Sequence, residues 1–264
     1  MPEHWDFYLT RLGDHPASVF GNFGLAAEIP RPARPWLLRV QVEMKSPDEH
    51  GLSSRDEAEA LYEMEDALVP AVTSQCDAEL VGRITIQGRR EFYFYAANPD
   101  PLDLAAGGAL APLGYAYDAD AKDDADWGFY ANVIYPSEWD WQVMGNRSVL
   151  QSLEQSGDDL TQPRRIHHYV HFPTEAARTA FAAAARPLGF GTRAIPRRDD
   201  KPDDPRPFPL HVHRIDPVDQ PALDDVVYEL FSLAKPHDGE YAGWETQVVK
   251  PGETPREDAP PEED

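Results

Sequence analysis

Read backwards from its last helix, the chain shows an order of elements that few folds accept. Leu223, Val226, Val227, Leu230, Phe231 and Ala234 repeat at helical spacing over 221–235. The stretch after it, Gly239-Glu240-Tyr241-Ala242-Gly243-Trp244-Glu245-Thr246, puts two glycines and two aromatics into eight residues. Glycines there permit a sharp return, with Tyr241 and Trp244 as apolar plugs. Upstream, Val149, Leu150 and Leu153 share one side of a helix expected over 147–156, stopped by Gly157. A strand is expected at 165–172, then a helix over 175–186 capped by Thr174. Leu188-Gly189-Phe190 opens a second strand to 195; a third covers 208–215, and a last one 244–249. Helix, then β-α-β-β-α-β, is the split-βαβ or ferredoxin-like order.

The first half differs in texture. Aromatic-rich strands are expected at 5–12, 17–25 and 36–44, followed by a helix begun by Ser54 with Glu57 three residues on. Ala58, Leu61, Leu68 and Val72 form its buried stripe. A hairpin at 79–86 and 90–97 turns at Gln87-Gly88. Trp127, Tyr130, Ile134 and Tyr135 recur at helical spacing before Pro136. The chain therefore reads as α+β, with two small antiparallel-sheet domains at 1–140 and 141–250. Residues 251–264, with four prolines, six acids and one arginine, read as a disordered acidic tail.

Charge narrows the partners. Lys and Arg total 24 against 47 Asp and Glu, a formal net charge of -23. Nucleic acids and anionic lipids repel such a chain at long range, whereas a basic protein is steered towards it. Direct nucleic-acid binding and membrane association are not expected. Cys76 stands alone, no apolar run is long enough to span a bilayer, and the start lacks a signal pattern. A cytoplasmic protein is the simplest expectation.

Candidate sites are few. Arg89-Arg90-Glu91-Phe92-Tyr93-Phe94-Tyr95 resembles a base-stacking strand, but Glu91 stands where glycine is needed and the aromatics fall on both faces. These side chains read as core and sheet surface. His167 and His171 on one strand, and His211 and His213 on its expected neighbour, share one sheet face and could hold zinc or titrate near neutral pH. No nearby cysteine or carboxylate shell supports a metal, so none is expected there. His168 faces the apolar side as a hydrogen-bonded core histidine. Asp118, Asp120, Asp123, Asp124 and Asp126 fail the calcium-loop pattern, with Asp123 and Phe129 where Gly and Glu belong, and read as a solvated loop. There is no G-x-S-x-G elbow, P-loop or G-x-G-x-x-G, so neither catalysis nor a cofactor is expected.

Two resemblances add to this. Gly157-Asp158-Asp159-Leu160, Pro163-Arg164, His168, Phe172, Leu188-Gly189-Phe190 and Tyr241-Ala242-Gly243-Trp244-Glu245 fall in the order seen in a bacterial family, regulator of ribonuclease E activity B. The resemblance implies a non-catalytic inhibitor that binds ribonuclease E and modulates RNA decay or processing. Its motif residues, Gly157, His168, Gly189, Phe190, Tyr241, Gly243 and Trp244, look structural. The partner surface is expected among acids, at Asp158 and Asp159 and on the last helix at Asp224, Asp225 and Glu229. The alternatives are a metal-binding enzyme or sensor on the histidine face, or a module for another protein. The first half, through Trp5-Asp6-Phe7-Tyr8, Pro35-Trp36-Leu37-Leu38, Phe92-Tyr93-Phe94-Tyr95 and Trp127 to Pro136, resembles the family called domain of unknown function 695. That family brings no activity with it.

Overall fold

The computed structural model describes residues 3–198 and 203–256. The chain is α+β and divides into two compact units, 1–140 and 141–264.

The first unit is one six-stranded antiparallel sheet in the order β1-β2-β4-β5-β3-β6. Its strands are β1 (Trp5–Leu12), β2 (His15–Asn22), β3 (Trp36–Glu43), β4 (Ala78–Ile86), β5 (Arg89–Ala96) and β6 (Tyr117–Asp123). Helices α1 (Ala58–Cys76) and α2 (Leu102–Leu110) cover one face. Leu61, Met64, Leu68 and Val72 of α1 meet Leu38, Val40, Phe92 and Phe94 of the sheet in that core. On the other face Trp127 stacks on Tyr95 with ring centroids 3.9 Å apart. All residues from Arg90 to Ala96 are buried, as expected of a strand covered on both faces. No ring of β5 can therefore stack on a base.

Three local readings change in this unit. The acidic stretch expected as a loop is largely strand: β6 pairs with β3, and Arg39 bridges to Asp118 and Asp120. An edge strand tolerates such charge because its outer side is solvated. The helix α2 escaped the sequence reading because its two glycines and low amphipathicity hide the period. Glu57 does not complete a capping box. Its buried carboxylate instead accepts from the amides of Lys45 (2.8 Å) and Ser46 (2.6 Å) and from the Tyr115 hydroxyl (3.1 Å).

Two facing glycines leave no space for a side chain. Gly21 of β2 and Gly82 of β4 face each other across the ladder. A Cβ on either would come within 2.8–2.9 Å of the Ile134 side chain, and Ile134 is fully buried against them.

The second unit begins within α3 (Glu138–Gln155), which starts nine residues earlier than its apolar period suggests. Four antiparallel strands follow in the order β10-β7-β9-β8: β7 (Arg164–Phe172), β8 (Gly191–Ala194), β9 (Phe208–Asp216) and β10 (Glu240–Glu245). With α4 (Glu175–Ala185) after β7 and α5 (Gln220–Ala234) after β9, this is the ferredoxin-like topology. Thr174 caps α4 through the Ala177 amide at 3.1 Å, and Asp219 caps α5 through Ala222 at 3.2 Å. The core joins Ile166, Val170 and Phe172 of β7 and Leu210 and Val212 of β9 to Phe181, Leu223, Val227 and Leu230 of the helices.

Here too boundaries move. Leu188-Gly189-Phe190 is not strand: Arg186–Leu188 closes α4 with a helical turn, and Gly189 reverses the chain at φ 86°. The last strand starts at Glu240, so the supposed return turn is itself β10. Residues 251–256, expected as part of a flexible tail, include a turn, and Arg256 exchanges hydrogen bonds with Gln247 (3.0 and 3.1 Å). The remaining tail, 257–264, and residues 199–202 lie outside the described residues.

Candidate functional site

The geometry of β10 follows from one extra residue. Tyr241 pairs with Val170 and Gly243 with Tyr169, so Ala242 is a bulge. The bulge breaks strict alternation, and Tyr241 and Trp244, three residues apart, both turn to the helical layer. There the Tyr241 hydroxyl meets His168 Nδ1 at 2.8 Å, both residues being buried. Burial, with Arg214 nearby, pushes His168 down to about 3, so it is a neutral core histidine. The Trp244 indole donates to Asn146 Oδ1 (2.8 Å), and Asn146 Nδ2 donates to Asp224 (2.7 Å), tying β10 to α3 and α5.

A groove of about 480 Å³ runs between α3 and β10. Trp141, Gly145 and Val149 line it from the helix, Gly243 and Glu245 from the strand, with Tyr169 at its floor. The Tyr169 hydroxyl donates to Glu245 at 2.6 Å; burial and that carboxylate push the phenol up to about 12. Sequence reasoning missed this groove. Gly145 is exposed within α3, and an added Cβ there would meet nothing within 4 Å.

The open face of the same sheet carries the expected histidines. His167, His211 and His213 come together, with His167 Nδ1 and His211 Nε2 2.7 Å apart and stacked rings. Gly191 makes room for His213, because a Cβ there would lie 2.3 Å from its Nε2. His171 sits further along β7 beside Arg198 (3.4 Å) rather than in this trio. Arg165 and Arg193 line the same shallow depression. Burial, then the other histidines and these arginines, lowers His211 to about 4; burial and Arg165 lower His213. Two imidazole nitrogens facing each other at hydrogen-bond distance leave no room for a shared ion between them, and two guanidinium groups oppose any cation. Among the described residues no group of three or more His, Cys, Asp or Glu is arranged to hold a metal ion.

Most of the acids expected at a partner surface are occupied. The Asp158 side chain is fully buried, bonded to Arg164 at 2.7 Å and to the Val249 amide at 2.8 Å. Gly157 (φ 78°) ends α3 so that Asp158 reaches both, which is why glycine, the acid and Pro163-Arg164 occur together. Asp159 accepts from Thr161 and Gln162. Asp224 is half-buried on Asn146, and burial raises it from its ordinary value. Glu229 pairs with Arg214 at 3.2 Å. Asp225 is the one exposed member of the α5 set.

Among the described residues no helix is long and apolar enough to cross a membrane. No curated protein matches the chain. A solved structure described as an unknown protein from Galdieria sulphuraria is similar to it at 13% identity, over 79% of this chain and 96% of that one, with a TM-score of 0.21. The model of the Family of unknown function (DUF695) matches residues 3–135, and that of Regulator of ribonuclease activity B matches residues 144–246. The second match encloses the bulge, the His168–Tyr241 bond, the Asp158–Arg164 pair and most of the groove lining. The chain belongs to the family of unknown function DUF695, with a Regulator of ribonuclease activity B domain as its second half.

Proposed function

We propose that this protein is a non-catalytic regulator that binds ribonuclease E through its second unit and lowers RNA decay or processing. The observation that carries the reading is the family match over 144–246, whose characteristic β10 segment forms one wall of an open groove. Electrostatics agrees: a net charge of -23 favours basic protein segments and disfavours competing RNA. The family residues His168, Tyr241, Trp244 and Asp158 then act by holding the groove and helix α5 in place, while contact falls to exposed groups such as Asp225.

The test is titration of the full chain against ribonuclease E at two salt concentrations, with labelled RNA as a parallel target and cleavage rate as the second readout. Salt-sensitive binding to the enzyme, slower cleavage and no binding to RNA are expected. Absence of binding to the enzyme at low salt refutes the reading. Asp225→Lys is the clean surface probe, because reversing Asp224 or Glu229 also breaks internal bonds.

A further inference from the structure

The groove between α3 and β10 has a composition that selects a particular side chain. We infer that it receives an arginine from an extended segment of the partner protein, the guanidinium lying against Trp141 and Tyr169 and pairing with Glu245. This rests on the reading of the second unit as a partner-binding regulator and names the chemistry recognised there.

Four observations converge. The groove's volume, about 480 Å³, lies within the ~300–1,000 Å³ typical of small-ligand sites, so it suits a side chain and its flanks rather than a folded surface. Its lining is aromatic and amide-rich with Glu245 as its charged group, the combination that favours a planar cation over an anion or an aliphatic chain. One oxygen of Glu245 accepts from Tyr169, and the other takes no hydrogen bond among the described residues, so an exposed, oriented carboxylate oxygen is available. Finally, Gly145 and Gly243 both border the groove, and a Cβ on either meets nothing within 4 Å. Glycine weakens a helix interior relative to alanine, and no neighbour of Gly145 requires it. What its missing side chain leaves open is the groove.

Arginine is favoured over lysine because its flat fork can stack on a ring and bond a carboxylate at once. The segment does not join the sheet as a fifth strand. The bulge at Ala242 interrupts the ladder, and Gln142 Nε2 already reaches the Tyr241 carbonyl at 3.4 Å.

The experiment uses the full chain and two kinds of partner. One is ribonuclease E. The other is a short Gly-Ser peptide carrying one central arginine, compared with the same peptide carrying citrulline, which keeps the shape and loses the charge. Binding is followed through the indole N–H signals of Trp141 and Trp244, in wild type, Gly145→Phe and Glu245→Gln, with thermal melts confirming that each variant is folded. The arginine peptide should give saturable shifts at both indoles. Citrulline or Glu245→Gln should weaken binding at least about tenfold, the scale of one charge-assisted hydrogen bond, and Gly145→Phe should abolish it. Equal response to arginine and citrulline, no saturable response to arginine at millimolar peptide, or undiminished binding by folded Gly145→Phe overturns the inference. If ribonuclease E binds wild type and both variants alike, the groove assignment fails while the regulator reading stands. If the arginine peptide binds as described and ribonuclease E does not, the groove stands and its partner is another protein.

Discussion

Removing the Asp158 carboxylate tests whether the family's Gly-Asp-Asp and Pro-Arg segments serve the fold or the partner. The Asp158 and Arg164 side chains are both fully buried, with Oδ1 2.7 Å from Nη2. Arg164 Nη1 has a long second bond to the Asp159 carbonyl (3.3 Å), and its Nε has no partner. Asp158→Ala thus strands a guanidinium with one weak acceptor and also deprives the Val249 amide of its 2.8 Å bond. Breaking one side of a buried pair in this way costs about 3–5 kcal/mol, a large share of the ~5–15 kcal/mol that holds a domain. A loss of about 3 kcal/mol lowers the melting midpoint of a unit this size by roughly 10–20 °C. Urea unfolding followed by tryptophan fluorescence and circular dichroism measures it directly. Asp158→Asn keeps an acceptor for Val249 and should lose less. The double change Asp158→Leu with Arg164→Met should recover most of the stability, since an apolar pair of similar volume often replaces a buried ion pair without penalty. A loss below about 1 kcal/mol for Asp158→Ala, the range of exposed pairs, refutes the structural role and returns Asp158 to the partner surface.

Other outcomes follow from the same geometry. Gly145→Ala should raise stability by about 0.5–1 kcal/mol in urea unfolding, because a helix-interior glycine is replaced where space is open. Gly82→Ala should do the opposite by about 1–3 kcal/mol, since its Cβ meets the Phe20 carbonyl at 2.8 Å and Ile134 at 2.9 Å. His168 is depressed from 6.5 to about 3, so the unfolded chain holds the proton and the folded one does not across that window. The associated stability is complete above about 6.5 and is lost as the pH falls towards about 3. Unfolding free energy should therefore drop by up to ~1.4 kcal/mol per pH unit for this group between about pH 6 and pH 4, and His168→Gln should flatten the slope. Lack of any difference between the two proteins removes His168 from the account.

The topology of the second unit was legible because its helices carry clean stripes, such as Leu223 to Ala234, separated by strands of the right length. The buried β5 still showed its aromatic run, and the neighbouring Gln87-Gly88 turn fixed the hairpin. What stayed hidden depends on long-range partners. Strand β6 exists because β3 supplies a ladder, not because Asp118 and Asp120 favour extension. The start of β10 was masked by the bulge, since Tyr241 and Trp244 at a spacing of three look like a turn or helix. At the candidate sites, periodicity placed His167, His211 and His213 on one face, but a hydrogen bond between two of them cannot be read from alternation. The bonds that hold Asp158, Asp224 and Glu229 could not be read locally, because their partners Arg164, Asn146 and Arg214 lie on other elements. The groove needed two elements 100 residues apart in sequence to meet, and nothing local announces that.

The bulge at Ala242 also bears on how this protein avoids itself. A four-stranded open sheet has two free edges, each a template on which an extended chain can grow. Here one edge, β10, is out of step with a regular ladder, and the other, β8, is only four residues long and soon followed by Pro196. Neither offers the long flat run that sheet-to-sheet aggregation needs. Deleting Ala242 would straighten the edge while leaving Tyr241 and Trp244 on the helical face, now two residues apart, and would set a regular row of amides and carbonyls along β10.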